Sequence, residues 1–158
     1  MKLAYVALGA NLGEPIATIR AAFGALANLP ESRVVRCSSL YRTAPIGNTE
    51  QADFINAVAL LETTLAPESL LDALLDLETR FGRIRAEKDG PRTLDLDLLL
   101  YNTLQINLPR LVLPHPRLHL RAFVLHPLAE LSPNMPLPGR GDIAAWLPAV
   151  ANQGITRL

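Results

Sequence analysis

GPRTLDLDLLL, residues 90–100, reads as a buried strand that carries two carboxylates. Side chains alternate along a strand, so Asp95 and Asp97 share one face. Leu94, Leu96 and Leu98 point the other way, into a core. Two anions about 7 Å apart repel, and neither can be buried bare. A divalent cation resolves the conflict. A few carboxylate oxygens, with room left for water and phosphate, suit Mg²⁺. The plain alternative is an open strand face that solvates two ordinary aspartates.

The segment before the strand is cationic. Arg80, Arg83, Arg85, Lys88 and Arg92 outnumber Glu87 and Asp89, in a chain whose formal net charge is zero. Arginine forks match phosphate oxygens, so a cationic loop beside a metal strand suits a polyphosphate; a solvated surface loop is the alternative. Upstream, Pro67 and Glu68 open a helix whose apolar stripe is Leu70, Leu74, Leu77 and Phe81, and Gly82 ends it. Glu78 lies on the flank of that stripe, so a partly covered carboxylate in need of a partner is expected there.

Further upstream, residues 54–61 (FINAVALL) form a strand whose one face holds Phe54, Asn56, Val58 and Leu60. Asn56 needs partners for a donor and an acceptor. Backbone groups could supply them, or a planar heterocycle on which Phe54 stacks. Residues 2–8 and 34–41 read as two more strands, and residues 15–26 as a helix opened by Pro15. The order β-α-β-β-α-β predicts an α+β, ferredoxin-like split-βαβ core, with helices over one face of a mostly antiparallel sheet. A proline-rich extension follows. It holds a short strand near residues 104–106 and a helix over 143–150 with Asp142 as its cap. Pro127 and its neighbours are expected to break any long element there. His115, between two prolines, is held extended and can reach a phosphate; Arg121 and Phe123 follow closely.

Composition bounds the rest. The chain has 158 residues, 49% of them hydrophobic, which predicts one domain over 1–158 with a substantial core. Zero net charge gives no general pull to nucleic acid or membrane. Cys37 is the single cysteine, which fits a reducing compartment, and the expected location is the cytoplasm. No extra apolar face is evident, so a monomer is expected.

The blocks YVALGANLG, SSLYRTAPIG, DFINAVALLET, LLDLETRFGRIR, KDGPRTLDLDLLL and LPHPRLHLRAFVLHPL occur in order. Together they resemble the 6-hydroxymethyl-7,8-dihydropterin pyrophosphokinase family of folate biosynthesis. The resemblance implies transfer of pyrophosphate from ATP to the pterin hydroxymethyl group, with AMP leaving. It implies two Mg²⁺ ions, held by Asp95 and Asp97. It assigns catalytic roles to Arg83, Arg92, Asp95 and Asp97. It assigns ATP binding to Glu78, Arg83, Arg85, Arg92, Arg110, His115 and Arg121. Thr43, Ile46, Phe54, Asn56 and Phe123 would bind the pterin, and the loops around 43–52 and 82–91 would close over both substrates. The chain departs from the family pattern at Asp89, where some members have a loop tryptophan, and at Pro116, where some have tyrosine. Two other readings compete. An RNA-binding or sensing domain on the same fold would not need Asp95, Asp97, Arg92 and His115 together. A nucleotidyltransferase would release pyrophosphate instead of AMP.

Overall fold

The computed structural model describes residues 1–45, 51–82 and 93–158. The chain runs β1 (Lys2–Ala10), α1 (Pro15–Ala27), β2 (Ser32–Cys37), β3 (Tyr41–Thr43), β4 (Phe54–Thr63), α2 (Pro67–Arg80) and β5 (Asp95–Tyr101). A hairpin of β6 (Ile106–Leu108) and β7 (Leu111–Leu113) follows, then α3 (Ala122–Leu131), the short pair β8 (Pro136–Leu137) and β9 (Gly141–Asp142), and β10 (Ile155–Arg157).

The apolar strand β1 lies at the centre of the main sheet because both its edges are used. It pairs antiparallel with β4 on one side and β5 on the other. The path is β10-β3-β4-β1-β5, and β2 also pairs with β4. This is the arrangement expected of the α+β ferredoxin-like core. Ala4, Val6, Leu8 and Ala10 of β1 and Leu96 and Leu98 of β5 face α1 and α2. Pro15 and Pro67 sit in the first helical turns, where the missing N–H costs nothing. Leu70, Leu74 and Leu77 bury the inner stripe of α2, each worth about 1.5–3 kcal/mol relative to exposure. Gly82, at φ +79°, supplies the left-handed turn that stops the helix.

The opposite face is covered as well, by the C-terminal extension. Val124, Leu125, Leu128 and Leu131 of α3 pack with Tyr5, Val58, Leu60 and Leu99 into a second core. The two helices of the βαββαβ core do share one face, and α3 supplies the second layer. Pro127 lies inside α3 and does not break it. Proline removes one helical hydrogen bond, and burial of the four apolar side chains outweighs that loss.

Other departures are local. The strand expected over 34–41 is two strands, because Ser38 takes over the ladder with its side chain. Val58 N–H donates to Ser38 Oγ at 2.9 Å, and Ser38 N–H donates to Val58 O at 2.8 Å. The helix expected over 143–150 is two 3-10 turns, and Asp142 makes no side-chain cap. Pro148 and the lack of a cap favour the tighter turns. Among the described residues, no helix is long and apolar enough to cross a membrane.

Candidate active site

Register builds the floor of the site. Asp95 of β5 and Asn56 of β4 stand opposite Gly9 of β1, one on each side. The three residues therefore form one row across three strands, on the face away from α1 and α2. Gly9 keeps the centre of the row open. A Cβ there would lie 3.2 Å from Asn56 Oδ1, closer than ordinary contact. A cavity of about 580 Å³ stands on this row.

At one end the cavity is lined by Thr43, Phe54, Asn56 and Phe123. Asn56 is buried, and its Nδ2 donates to Thr43 Oγ1 at 2.8 Å. That bond fixes the amide and turns Oδ1 toward Gly9. Thr43 sits on β3, opposite Phe54. The short strand is held from α3 by Glu130, which accepts from Tyr41 Oη at 2.7 Å and from Ser39 N–H at 3.0 Å. Burial works against the charged Glu130, but these donors outweigh it and hold the carboxyl below its ordinary range. Burial, with Glu130 beside it, pushes the Tyr41 hydroxyl up to about 12. Across the cavity, the Arg121 guanidinium carbon lies 5.3 Å from the centre of the Phe123 ring, a cation–π contact.

In the middle, Asp95 and Asp97 are half-buried and both line the cavity, while Leu94, Leu96 and Leu98 are in the core. Glu78 is buried more deeply than its flanking position suggests, at 1% exposure. Its Oε2 accepts the Leu96 N–H at 2.6 Å, which pins α2 to the strand between the two aspartates. His115 reaches the cavity from a loop that follows a cis Leu113–Pro114 bond. Its N–H donates to Leu99 O at 2.9 Å, so the loop is tied to β5. The ring Nδ1 accepts from Arg117 N–H at 3.2 Å, which leaves the proton of the neutral ring on Nε2. Burial, then Arg121 and Arg117, lower the imidazole to about 4, against the opposing pull of Asp95.

The far end is more apolar. Leu71 and Leu75 of α2 face Leu111 and Val112 of β7, with Arg110 and Pro116 beside them. Arg110 forms an ion pair with Asp72, which clips the tip of the β6–β7 hairpin to α2.

The structure thus brings Thr43, Phe54, Asn56, Glu78, Asp95, Asp97, Arg110, His115, Arg121 and Phe123 to one cavity. Ile46, Arg83, Arg85 and Arg92 lie outside the described residues. Sequence reasoning missed Gly9, Leu71, Leu75, Val112 and Arg117. Gly9 in LGAN carries a visible signal, since glycine inside a strand marks a close approach. Among the described residues no group of three or more His, Cys, Asp or Glu could hold a metal on its own. Two aspartates fit an ion that draws its remaining oxygens from phosphate and water, which is how Mg²⁺ binds.

The model of the family described as 7,8-dihydro-6-hydroxymethylpterin-pyrophosphokinase matches residues 5–133. A Pseudomonas aeruginosa protein named 2-amino-4-hydroxy-6-hydroxymethyldihydropteridine pyrophosphokinase is 49% identical over 98% of this chain and 95% of its own length. A Haemophilus influenzae protein of the same name is 40% identical over 100% of this chain and 99% of its own. Among solved structures, Plasmodium falciparum HPPK-DHPS with pterin and p-hydroxybenzoate superposes with a TM-score of 0.76 at 14% identity. The match covers 99% of this chain and 46% of that one, and at this identity it speaks for the fold. Sequence and fold agree, and the chain belongs to the 7,8-dihydro-6-hydroxymethylpterin-pyrophosphokinase family.

Proposed function

We propose that the chain transfers pyrophosphate from ATP to the hydroxymethyl group of 6-hydroxymethyl-7,8-dihydropterin, releasing AMP, with Mg²⁺ held at Asp95 and Asp97. Family membership carries the reaction. The observation that carries the site is the row Asp95–Gly9–Asn56, which sets the Asp95 carboxylate and the Asn56 amide on one floor. The pterin ring stacks between Phe54 and Phe123, and Asn56 reads its amide-like edge. ATP lies toward Leu71, Val112 and Arg110, with its phosphates over the aspartates.

The pterin hydroxyl attacks the β-phosphorus in line and gives up its proton to a phosphate oxygen, and AMP leaves as the β-phosphorus bond to the α-phosphate oxygen breaks. When bound, Mg²⁺ neutralises charge on the phosphate oxygens. Arg121 and the Nε2–H of His115 donate to those oxygens. Glu78 holds the aspartate strand at a fixed height by its bond to Leu96. The apolar walls limit water, which would otherwise accept the pyrophosphate. Roles for Arg83, Arg85, Arg92 and Ile46 in closing over the substrates belong to the same reading. So do a single domain, a monomer, a cytoplasmic location, and no nucleic-acid or membrane partner.

Product analysis tests the proposal. With ATP, Mg²⁺ and the dihydropterin, AMP and a diphosphorylated pterin should form, and only when metal is present. ADP, or free pyrophosphate with an adenylated pterin, would refute it.

A further inference from the structure

The segment that closes the chain touches both walls of the pterin end without lining the cavity. Gln153 Oε1 accepts the Ala122 N–H at 2.9 Å, and its Nε2 donates to Leu120 O at 2.9 Å. One amide therefore grips the backbone on either side of Arg121. The Ala122 N–H is among the helix-start donors that have no partner within α3, and Arg121, just before the helix, gives no side-chain cap. Gln153 supplies that cap from 31 residues away.

Two bonds to a planar amide fix the chain direction at Arg121, which is extended at φ −124° and ψ 117°. That direction presents Arg121 and Phe123 together to the cavity. Gln153 is itself anchored. Its N–H donates to Val150 O at 3.0 Å, and the next residues form β10 on β3, with Ile155 opposite Thr43. Ile155 and Phe123 also pack on the same core. The segment thus ties the wall that carries Phe123 to the wall that carries Thr43. It lies beyond residues 5–133, the part that matches the family model.

We propose that Gln153 is a positioning residue for the pterin end of the cavity, acting through the α3 start that carries Arg121 and Phe123. The inference rests on the reading of Phe123 as a pterin contact. Gln153 is exposed, so its loss opens no core. Its loss uncaps the Ala122 N–H, so a modest loss of stability accompanies it, and the positioning role is read from substrate affinity.

The test is Gln153→Met, which keeps the stem and removes both polar atoms. It is compared with Phe123→Ala and with the double variant. The readouts are KM for the dihydropterin, KM for ATP, kcat and the thermal midpoint. Gln153→Met should raise the pterin KM about fivefold, the scale of one net hydrogen bond, with a smaller change in kcat. Loss of the cap should also lower the midpoint by about 2–4 °C, so the split between the pterin and ATP KM values carries the test. Because Gln153 acts through Phe123, the double variant should be little worse than Phe123→Ala alone. An unchanged pterin KM in Gln153→Met, while Phe123→Ala raises it, overturns the Gln153 role alone. Full additivity in the double variant also overturns it. An unchanged pterin KM in Phe123→Ala overturns the reading of the pterin site, and the Gln153 role with it.

Discussion

His115 allows a quantitative prediction for the ligand-free protein. Its imidazole is lowered from 6.5 to about 4, first by burial and then by Arg121 and Arg117. Above pH 6.5 the ring is neutral in both folded and unfolded chains, so stability is at its full value. As pH falls from 6.5 toward 4, the unfolded chain takes up a proton that the folded chain refuses, and stability is lost. The gap of about two and a half pH units, at about 1.36 kcal/mol each, sets a ceiling of about 3.4 kcal/mol. The ring stands at the wall of an open cavity, so solvent screening trims this to about 2 kcal/mol. Urea unfolding of the wild type and His115→Gln at a series of pH values measures the effect. The wild type should lose about 2 kcal/mol more than the variant between pH 6.5 and 4. Parallel curves would refute the reasoning, as would an NMR titration of His115 centred near 6.5.

Three further outcomes are expected. Asp97→Ala should lower turnover at least about a hundredfold and keep a wild-type far-UV spectrum, because the side chain faces the cavity and not the core; full Mg²⁺-dependent activity in the variant would rule out the metal role. Gly9→Ala crowds Asn56 Oδ1, so it should raise the dihydropterin KM more than the ATP KM, as should Asn56→Ala; equal changes for both substrates would count against the ring-edge role. Glu78→Ala strands the buried Leu96 N–H and should cost about 1–3 kcal/mol in denaturant unfolding, whereas Glu78→Gln keeps an acceptor and should recover most of it; no loss in the alanine variant would contradict the Leu96 bond as a stabilising contact.

Features whose causes are local were legible in the sequence. Pro15, Pro67 and Gly82 mark helix ends through their own backbone preferences. The alternation of Asp95, Leu96, Asp97 and Leu98 fixes which side faces the core. Features set by distant partners were not legible. The strand β10 is short and exposed, and exists because β3 offers an edge. Pro127 argues against a helix until the apolar face of β4 is there to bury its neighbours. Glu78 showed a helix flank but not the strand N–H that takes it inside. The family resemblance assigns Arg110 to the nucleotide, and nothing near it in sequence reveals Asp72 on α2. Gly9 stood in plain view, but its use depends on what lies opposite it on two other strands.

The row of Asp95, Gly9 and Asn56 also acts as a ruler. It runs across the strands, so its length is two inter-strand steps, about 10 Å, set by peptide hydrogen bonds. No side chain chooses that distance. Substitutions can alter what is gripped at the carboxylate end or at the amide end, but they cannot bring the ends together or move them apart. Under the proposed function, an acceptor whose hydroxyl sits further from its ring would present the wrong length to a fixed gauge. Discrimination by size would then survive changes in the surrounding loops.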